Sequence, residues 1–233
     1  MKNGAAIGVL NLDVGPERIG PQRDKPGFLR NDETFSFRVE REIVEGATIE
    51  RVVDGDPELI PHFVAAAKKL ERRGVAAIVG DCGFIATYQR EIARSVAVPV
   101  ISSSLLLVPL AYQMLSPNKR VGIITAESES LAERHFKAVG WSGEDIPIAV
   151  KGLDDYPSES WQPFTDHSKK ERNIVKLAED LIRERPDVGA LVLECTVVQP
   201  YSRAIKEATG LSVYDITTLV KLVHSAVDPP IYP

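Results

Sequence analysis

Short apolar, β-branched runs alternate in this sequence with stretches whose apolar residues recur every three or four positions. The runs at 5–12, 75–80, 98–101, 121–125 and 190–193 have strand length, and the segments 57–73, 84–95, 105–115, 127–139 and 169–184 carry helical spacing. Near-continuous apolar strands separated by amphipathic helices predict parallel sheets with helices on both faces. Two segments break the alternation. Residues 13–36 are rich in Gly, Pro and charge, and 152–167 contains Pro157, Trp161 and Pro163. Connections this long inside a compact domain usually have a function. Both follow a strand end, so both are expected to cover a cleft, the alternative being plain surface insertion.

The alternation is also written twice. Shifted by 113 positions, 75–100 lies over 188–213 without a gap. Val75/Val188, Ala77/Ala190, Val79/Val192, Cys82/Cys195, Tyr88/Tyr201, Arg90/Arg203, Ile92/Ile205 and Val100/Val213 are then identical, 8 of 26 positions. Unrelated segments of ordinary composition would share roughly one or two. Residues 7–13 resemble 121–127 at nearly the same offset. Two copies of one β-α-β unit predict a pseudo-twofold molecule, and the chain's 2 cysteines occupy the same place in each copy. That place is the carboxyl end of a strand just before a helix, where open parallel sheets bind ligands. A single free cysteine is most simply a small buried hydrophobe. A pair at equivalent strand ends points instead to one cleft approached from two sides.

Composition narrows the setting. A chain of 233 residues, 44% hydrophobic and 26% charged, can bury the core of one large α/β domain or two lobes. A net charge of -5 argues against nucleic-acid partners, since phosphate contacts need clustered Lys and Arg. The longest apolar run, 105–114, is too short to span a membrane, and the N-terminus carries no signal-peptide pattern. The two cysteines are far apart and neither they nor the four scattered histidines have zinc spacing. The expectation is a cytoplasmic protein with reduced thiols, without membrane or nucleic-acid partners.

The segments GVAAIVGDCGF and GALVLECT, with the Cys195-Thr196 pair, resemble the aspartate/glutamate racemase superfamily. That group includes aspartate, glutamate and hydantoin racemases, maleate isomerase and arylmalonate decarboxylase. The likeness runs through essentially the whole chain, and VEGATIERVV resembles a less-characterised branch. It implies two pseudo-symmetric Rossmann-like α/β/α lobes with the active site in the cleft between them, no cofactor and no metal. Residues 1–104 with 214–233 would form the lobe carrying Cys82, and 105–213 the lobe carrying Cys195. A homo-oligomer is compatible with it. Two departures stand out. Amino-acid racemases of the group usually follow the first cysteine with Asn-Thr, where this chain has Gly83-Phe84. The second Cys-Thr is often preceded by Gly and followed by His or Glu, where this chain has Glu194 and Val197.

The resemblance implies Cys82 and Cys195 as paired catalytic thiols, one a thiolate base and the other an acid, inverting a stereocentre beside a carboxylate. An ordinary thiol needs help to ionise, and the helix start near Phe84 would supply it for Cys82. The same N–H groups would hold the substrate carboxylate. Gly83, Phe84 and Thr196 are expected to contact substrate, with Asn11 and Thr125 at the ends of repeat-related strands next in line. Ser102, Ser103 and Ser104 end another strand and are further candidate donors. Asp81 and Glu194 are expected to point away from the cleft, because strand neighbours alternate faces. Tyr88 and Tyr201 read as packing. The substrate class is then a small carboxylate, such as an amino acid or hydantoin, acted on by a racemase or epimerase. The alternatives are a one-cysteine cis–trans isomerase or decarboxylase, or a non-catalytic ligand-binding homologue.

Overall fold

The computed structural model describes residues 4–155 and 166–231. The chain begins with β1 (Ile7–Asn11), α1 (Pro16–Arg23), β2 (Val39–Ile43), α2 (Ile49–Asp54), α3 (Ile60–Arg72), β3 (Ala77–Gly80), α4 (Gln89–Ser95) and β4 (Val100–Ile101). It continues with α5 (Val108–Gln113), β5 (Arg120–Thr125), α6 (Glu133–Ala138), β6 (Ile148–Gly152), α7 (His167–Glu184), β7 (Val188–Leu193), α8 (Ser202–Thr209), β8 (Ser212–Tyr214) and α9 (Ile216–Val227).

Among the described residues, two four-stranded sheets form, ordered β2-β1-β3-β4 and β6-β5-β7-β8, with every pairing parallel. The orders are the same, so the repeat seen in sequence is a repeat of topology. β1 and β3 are buried throughout and β5 and β7 nearly so, which is why they read as unbroken apolar runs. The edge strands β2 and β6 escape that criterion. β2 (VEREI) sends Glu42 to Lys69 and Arg73 and Arg41 to Asp32, and β6 carries Lys151, paired with Glu184.

The covering helices follow their spacing. α3 buries Phe63, Ala66, Ala67 and Leu70, and α7 buries Ile174, Leu177, Ala178 and Leu181, each set on one helical stripe. α9 packs Ile216, Leu219 and Val220 against Ile7, Val9, Ala77 and Val79 of the first sheet. Three expected helices are shorter than their spacing suggested, and over 105–115 the chain makes a 3₁₀ turn, Ser104–Leu107, before α5. Over 84–95 the chain first makes a 3₁₀ turn, Gly83–Tyr88, before α4. Over 127–139 the helix forms only at Glu133–Ala138. No helix among the described residues is long and apolar enough to cross a membrane.

Of the two segments outside the alternation, 13–36 forms α1 and then folds inward to bury Phe28, Leu29, Arg30 and Asn31. Residues 156–165, most of the second expected cover, lie outside the described residues.

Candidate active site

In each sheet the chain leaves the central strand in opposite directions, and the crevice at such a switch point opens beyond the carboxyl ends of the strands. Those ends bear Asp81-Cys82 after β3 and Glu194-Cys195 after β7. Cys82, Gly83, Phe84, Cys195 and Thr196 line one cavity of about 440 Å³. Contacts across the lobes hold the two strand ends together: Thr196 Oγ1 donates to the Asp81 carbonyl at 2.6 Å, and Ser104 Oγ donates to the Leu193 carbonyl at 2.6 Å.

Both acids belong to the cavity wall as well. They do not point away, because β3 ends at Gly80 and β7 at Leu193. Face alternation holds only within a strand, and beyond its end the acid and the cysteine turn into the same space. Asp81 is met by Arg30 Nη2 at 2.6 Å and by Asn11 Nδ2 at 2.7 Å. Glu194 receives Thr125 Oγ1 on Oε2 at 2.7 Å, while its buried Oε1 has no hydrogen-bond partner. Burial raises the Asp81 carboxyl against the pull of Arg30 and Asn11. Burial pushes Glu194 up to about 7, against the Thr125 hydrogen bond.

Asn11 and Thr125 are therefore placed behind the cavity wall, each holding the acid of its own lobe. They are buried and do not line the cavity. Nor do the three serines: Ser103 caps its own turn by accepting from the Leu105 N–H, and Ser104 joins the lobes. Tyr88 and Tyr201 are fully buried packing residues.

The surroundings of the two thiols do not activate them. Burial, then the Glu194 carboxylate, lifts Cys82 well above the ordinary thiol range; the Phe84 N–H, donating to the sulfur, pulls the other way and loses. A helix start was expected to lower this group, but the chain opens on 3₁₀ turns, Gly83–Tyr88, and burial outweighs what their N–H groups supply. Cys195 is pushed up to about 12 by burial and Glu194, against the Val197 N–H and the Lys170 ammonium. Lys170, buried on α7, is itself drawn down to about 7 by desolvation. The Phe84 ring forms one wall, edge-on to the buried His135 at 5.1 Å between centroids.

Sequence reasoning missed Arg30, Lys170 and the inward turn of the two acids. Arg30 sits in a segment without periodicity, so nothing local marks it. The acids did carry a signal, since Asp81 and Glu194 precede the two cysteines at equivalent repeat positions. Charge is uneven around the cavity: among the described residues Glu50 and Asp54 of α2 and Glu127 after β5 line it, against one cation, Arg30. Among the described residues no three His, Cys, Asp or Glu side chains are grouped to hold a metal ion.

Two parallel-sheet lobes joined at a cavity with one cysteine at each strand end define the racemase type of α/β protein. The family described as Asp/Glu/Hydantoin racemase matches over residues 41–221, and the chain belongs to it. It is 31% identical over 237 residues to a dimethylsulfoniopropionate lyase of Durusdinium sp. clade D, covering 97% of this chain and 76% of that protein. Dimethylsulfoniopropionate lyase 6 of Emiliania huxleyi is 31% identical over 240 residues, covering 97% and 61%. Dimethylsulfoniopropionate lyase 5 of the same organism is 28% identical over 233 residues, covering 95% and 45%. The chain thus spans between 45% and 76% of the length of these relatives. Among solved structures, unliganded arylmalonate decarboxylase superposes with a TM-score of 0.62 at 13% identity, covering 97% and 94%. An aspartate racemase homologue from Pyrococcus horikoshii gives 0.55 at 17%, covering 96% and 99%. At these identities the structural likeness is one of fold.

Proposed function

We propose that this chain is a carbon-acid lyase. One of its two thiols, as thiolate, removes the proton α to a substrate carboxylate, and a cationic leaving group departs from the β carbon. The observation that carries this reading is the shared cavity, with a cysteine from each lobe and carboxylates around much of the rim. A small zwitterion suits that surface. Its carboxylate would lie against the N–H groups of the Gly83 and Thr196 turns and against Arg30, whose buried Nε has no acceptor. Its cationic end would face Glu50, Asp54 and Glu127. Dimethylsulfoniopropionate, named for the relatives, has this form: a carboxylate, two methylenes and a dimethylsulfonium.

The steps balance without an outside reagent. The C2–H bond breaks and an S–H bond forms at cysteine. The freed electron pair becomes the C2–C3 double bond, and the C3–S bond breaks, its pair leaving with dimethyl sulfide. Acrylate remains, and the thiol returns its proton to solvent. The cation assists before bond breaking too, because a positive charge beside these carboxylates favours the thiolate that burial and Glu194 disfavour.

A second reading shares the first step. If the bound carbon acid has no β leaving group, the cysteine of the opposite lobe can protonate the other face, which is racemisation. The repeat-related positions of the two thiols favour it. Supplying dimethylsulfoniopropionate and following dimethyl sulfide and acrylate tests the lyase. A panel of amino acids and hydantoins in D₂O tests the alternative, since a two-thiol racemase places deuterium first in the product enantiomer. Release of dimethyl sulfide is the expected outcome; α-deuteration and inversion without elimination would replace the lyase by a racemase. For the lyase, whichever of Cys82→Ser and Cys195→Ser removes the base should lower turnover by about 10²–10⁴-fold, for a racemase both should, and undiminished turnover in both variants would remove the thiol mechanism.

A further inference from the structure

Asp81 and Glu194 hold repeat-related places, yet among the described residues a cation stands against only one of them. Arg30 neutralises Asp81. Glu194 is as deeply buried, 1% exposed, and has Thr125 on Oε2 and nothing on Oε1. An ionised carboxylate with one oxygen dehydrated and unpartnered costs several kcal/mol (roughly). A carboxylic acid in the same place needs only one acceptor for its proton. Because Thr125 donates to Oε2, Oε1 is the oxygen left to carry hydrogen. It lies against the Gly83 backbone, so closely that a Cβ at residue 83 would collide with it. Gly83 opens the turn that follows Cys82, and both residues line the cavity with Glu194.

We propose that Glu194 is a further catalytic residue, whose carboxylic acid group donates a hydrogen bond from Oε1 to the substrate carboxylate and to the enediolate that it becomes. The proposal rests on the carbon-acid reading above. When the thiolate removes the α proton, the electron pair delocalises onto the carboxylate and its oxygens become strongly basic. A fixed neutral donor is then worth more than it was with the ground-state carboxylate, which is the condition for lowering a barrier rather than only tightening binding. A carboxyl kept neutral by a dry site is a known solution to this electrostatic problem. Burial, with Glu127 adding to it, holds Glu194 in the acid form up to about neutrality. The other titratable groups around it are Cys82 and Asp81 after β3, Arg30 of the 13–36 segment, neighbouring Cys195 and, beyond that thiol, Lys170 of α7.

Glu194→Gln tests the assignment, because the amide keeps the size, can accept from Thr125 and can still donate, but does not titrate. At about pH 6 the infrared spectrum of the wild type should contain the carbonyl stretch of a protonated carboxylic acid that the variant lacks. Propionate, a carboxylate with no leaving group, is then titrated calorimetrically between about pH 6 and pH 9. Wild-type affinity should fall by about tenfold per pH unit above neutrality, and the Glu194→Gln affinity should stay level. Absence of a Glu194-dependent acid band overturns the proposal. An affinity that declines with pH equally in both proteins, or in neither, removes Glu194 from the site and leaves the carbon-acid reading standing. Failure of the wild type to bind propionate at any pH overturns both.

Discussion

Glu194 is the residue on which most of the site's electrostatics turn, and its titration has a sign that can be followed. Its folded carboxyl, at about 7, lies above the ordinary glutamate value of 4.5. The stability linked to it is therefore fully present below about pH 4.5 and is lost as pH rises through 7. Comparing wild type with Glu194→Gln by denaturant titration at several pH values should expose this loss. The wild type is expected to fall behind the variant by on the order of 3 kcal/mol across that window, and a constant difference would mean that Glu194 does not change its proton there. The same ion raises both thiols. Above neutrality, alkylation of Cys82 and Cys195 by iodoacetamide should thus begin at lower pH in Glu194→Gln, each unit of the shift giving about tenfold more thiolate. Arg30 offers a contrasting case. Arg30→Met would leave Asp81 buried beside Asn11 without its cation, at a cost of about 3–5 kcal/mol, read as a lowered denaturation midpoint. The cysteine pair was legible because each thiol marks its repeat. Arg30 was not, because a contact from residue 30 to residue 81 leaves no local pattern.

Central elements were legible for the reason that makes them stable. β1, β3, β5 and β7 are covered on both sides, and burial on two faces leaves only apolar residues to write the strand. α3 and α7 announce themselves by one-sided stripes. Truncating a stripe should be costly in proportion to the cavity left: Phe63, fully buried and stacked on Tyr88 at 4.6 Å, should lose about 3–5 kcal/mol as Phe63→Ala, measured by thermal or denaturant unfolding. Edge strands β2 and β6 were missed because solvent admits charge on them, and their Glu42 and Lys151 are satisfied by side chains from helices. The shortened start of the helix after Cys82 has a physical cause that no periodicity reports. Apolar spacing is the same whether the first turn is 3₁₀ or α, but the dipole offered to the thiol is not.

For the whole molecule, a shift of 113 residues anticipated both sheets, their equal strand order and the meeting of the cysteines at one cavity. What the repeat could not convey is where its copies differ, and the uneven charge of the cavity lies in those differences: one acid with a cation and one without, one cysteine near a buried lysine and one beside Gly83. Removing the hydrogen bond between lobes with Ser104→Ala leaves the Leu193 carbonyl buried and unpaired. It should cost about 1–3 kcal/mol, again read from the unfolding midpoint, although residue 104 lies outside the cavity. The packing of Glu194 on Gly83 also joins two departures from the related racemases into one. Where those usually place Asn after the first cysteine and Gly before the second, this chain has Gly first and Glu second. The bulk has crossed from one half to the other. Of the two changes, the one at 83 is closed to the chain while Glu194 is present, since Asn at 83 with Glu at 194 would need two side chains in one volume. Gly83→Asn should therefore destabilise strongly by itself and recover only in part when combined with Glu194→Gly, because the carbonyl oxygen of residue 194 also stands where a Cβ at 83 would go; the side-chain share of the clash should read as a coupling of about 0.5–3 kcal/mol in a double-mutant cycle. Descent between the two arrangements would have had to pass through the sequence with Gly at both positions, with a vacant centre and neither polar side chain.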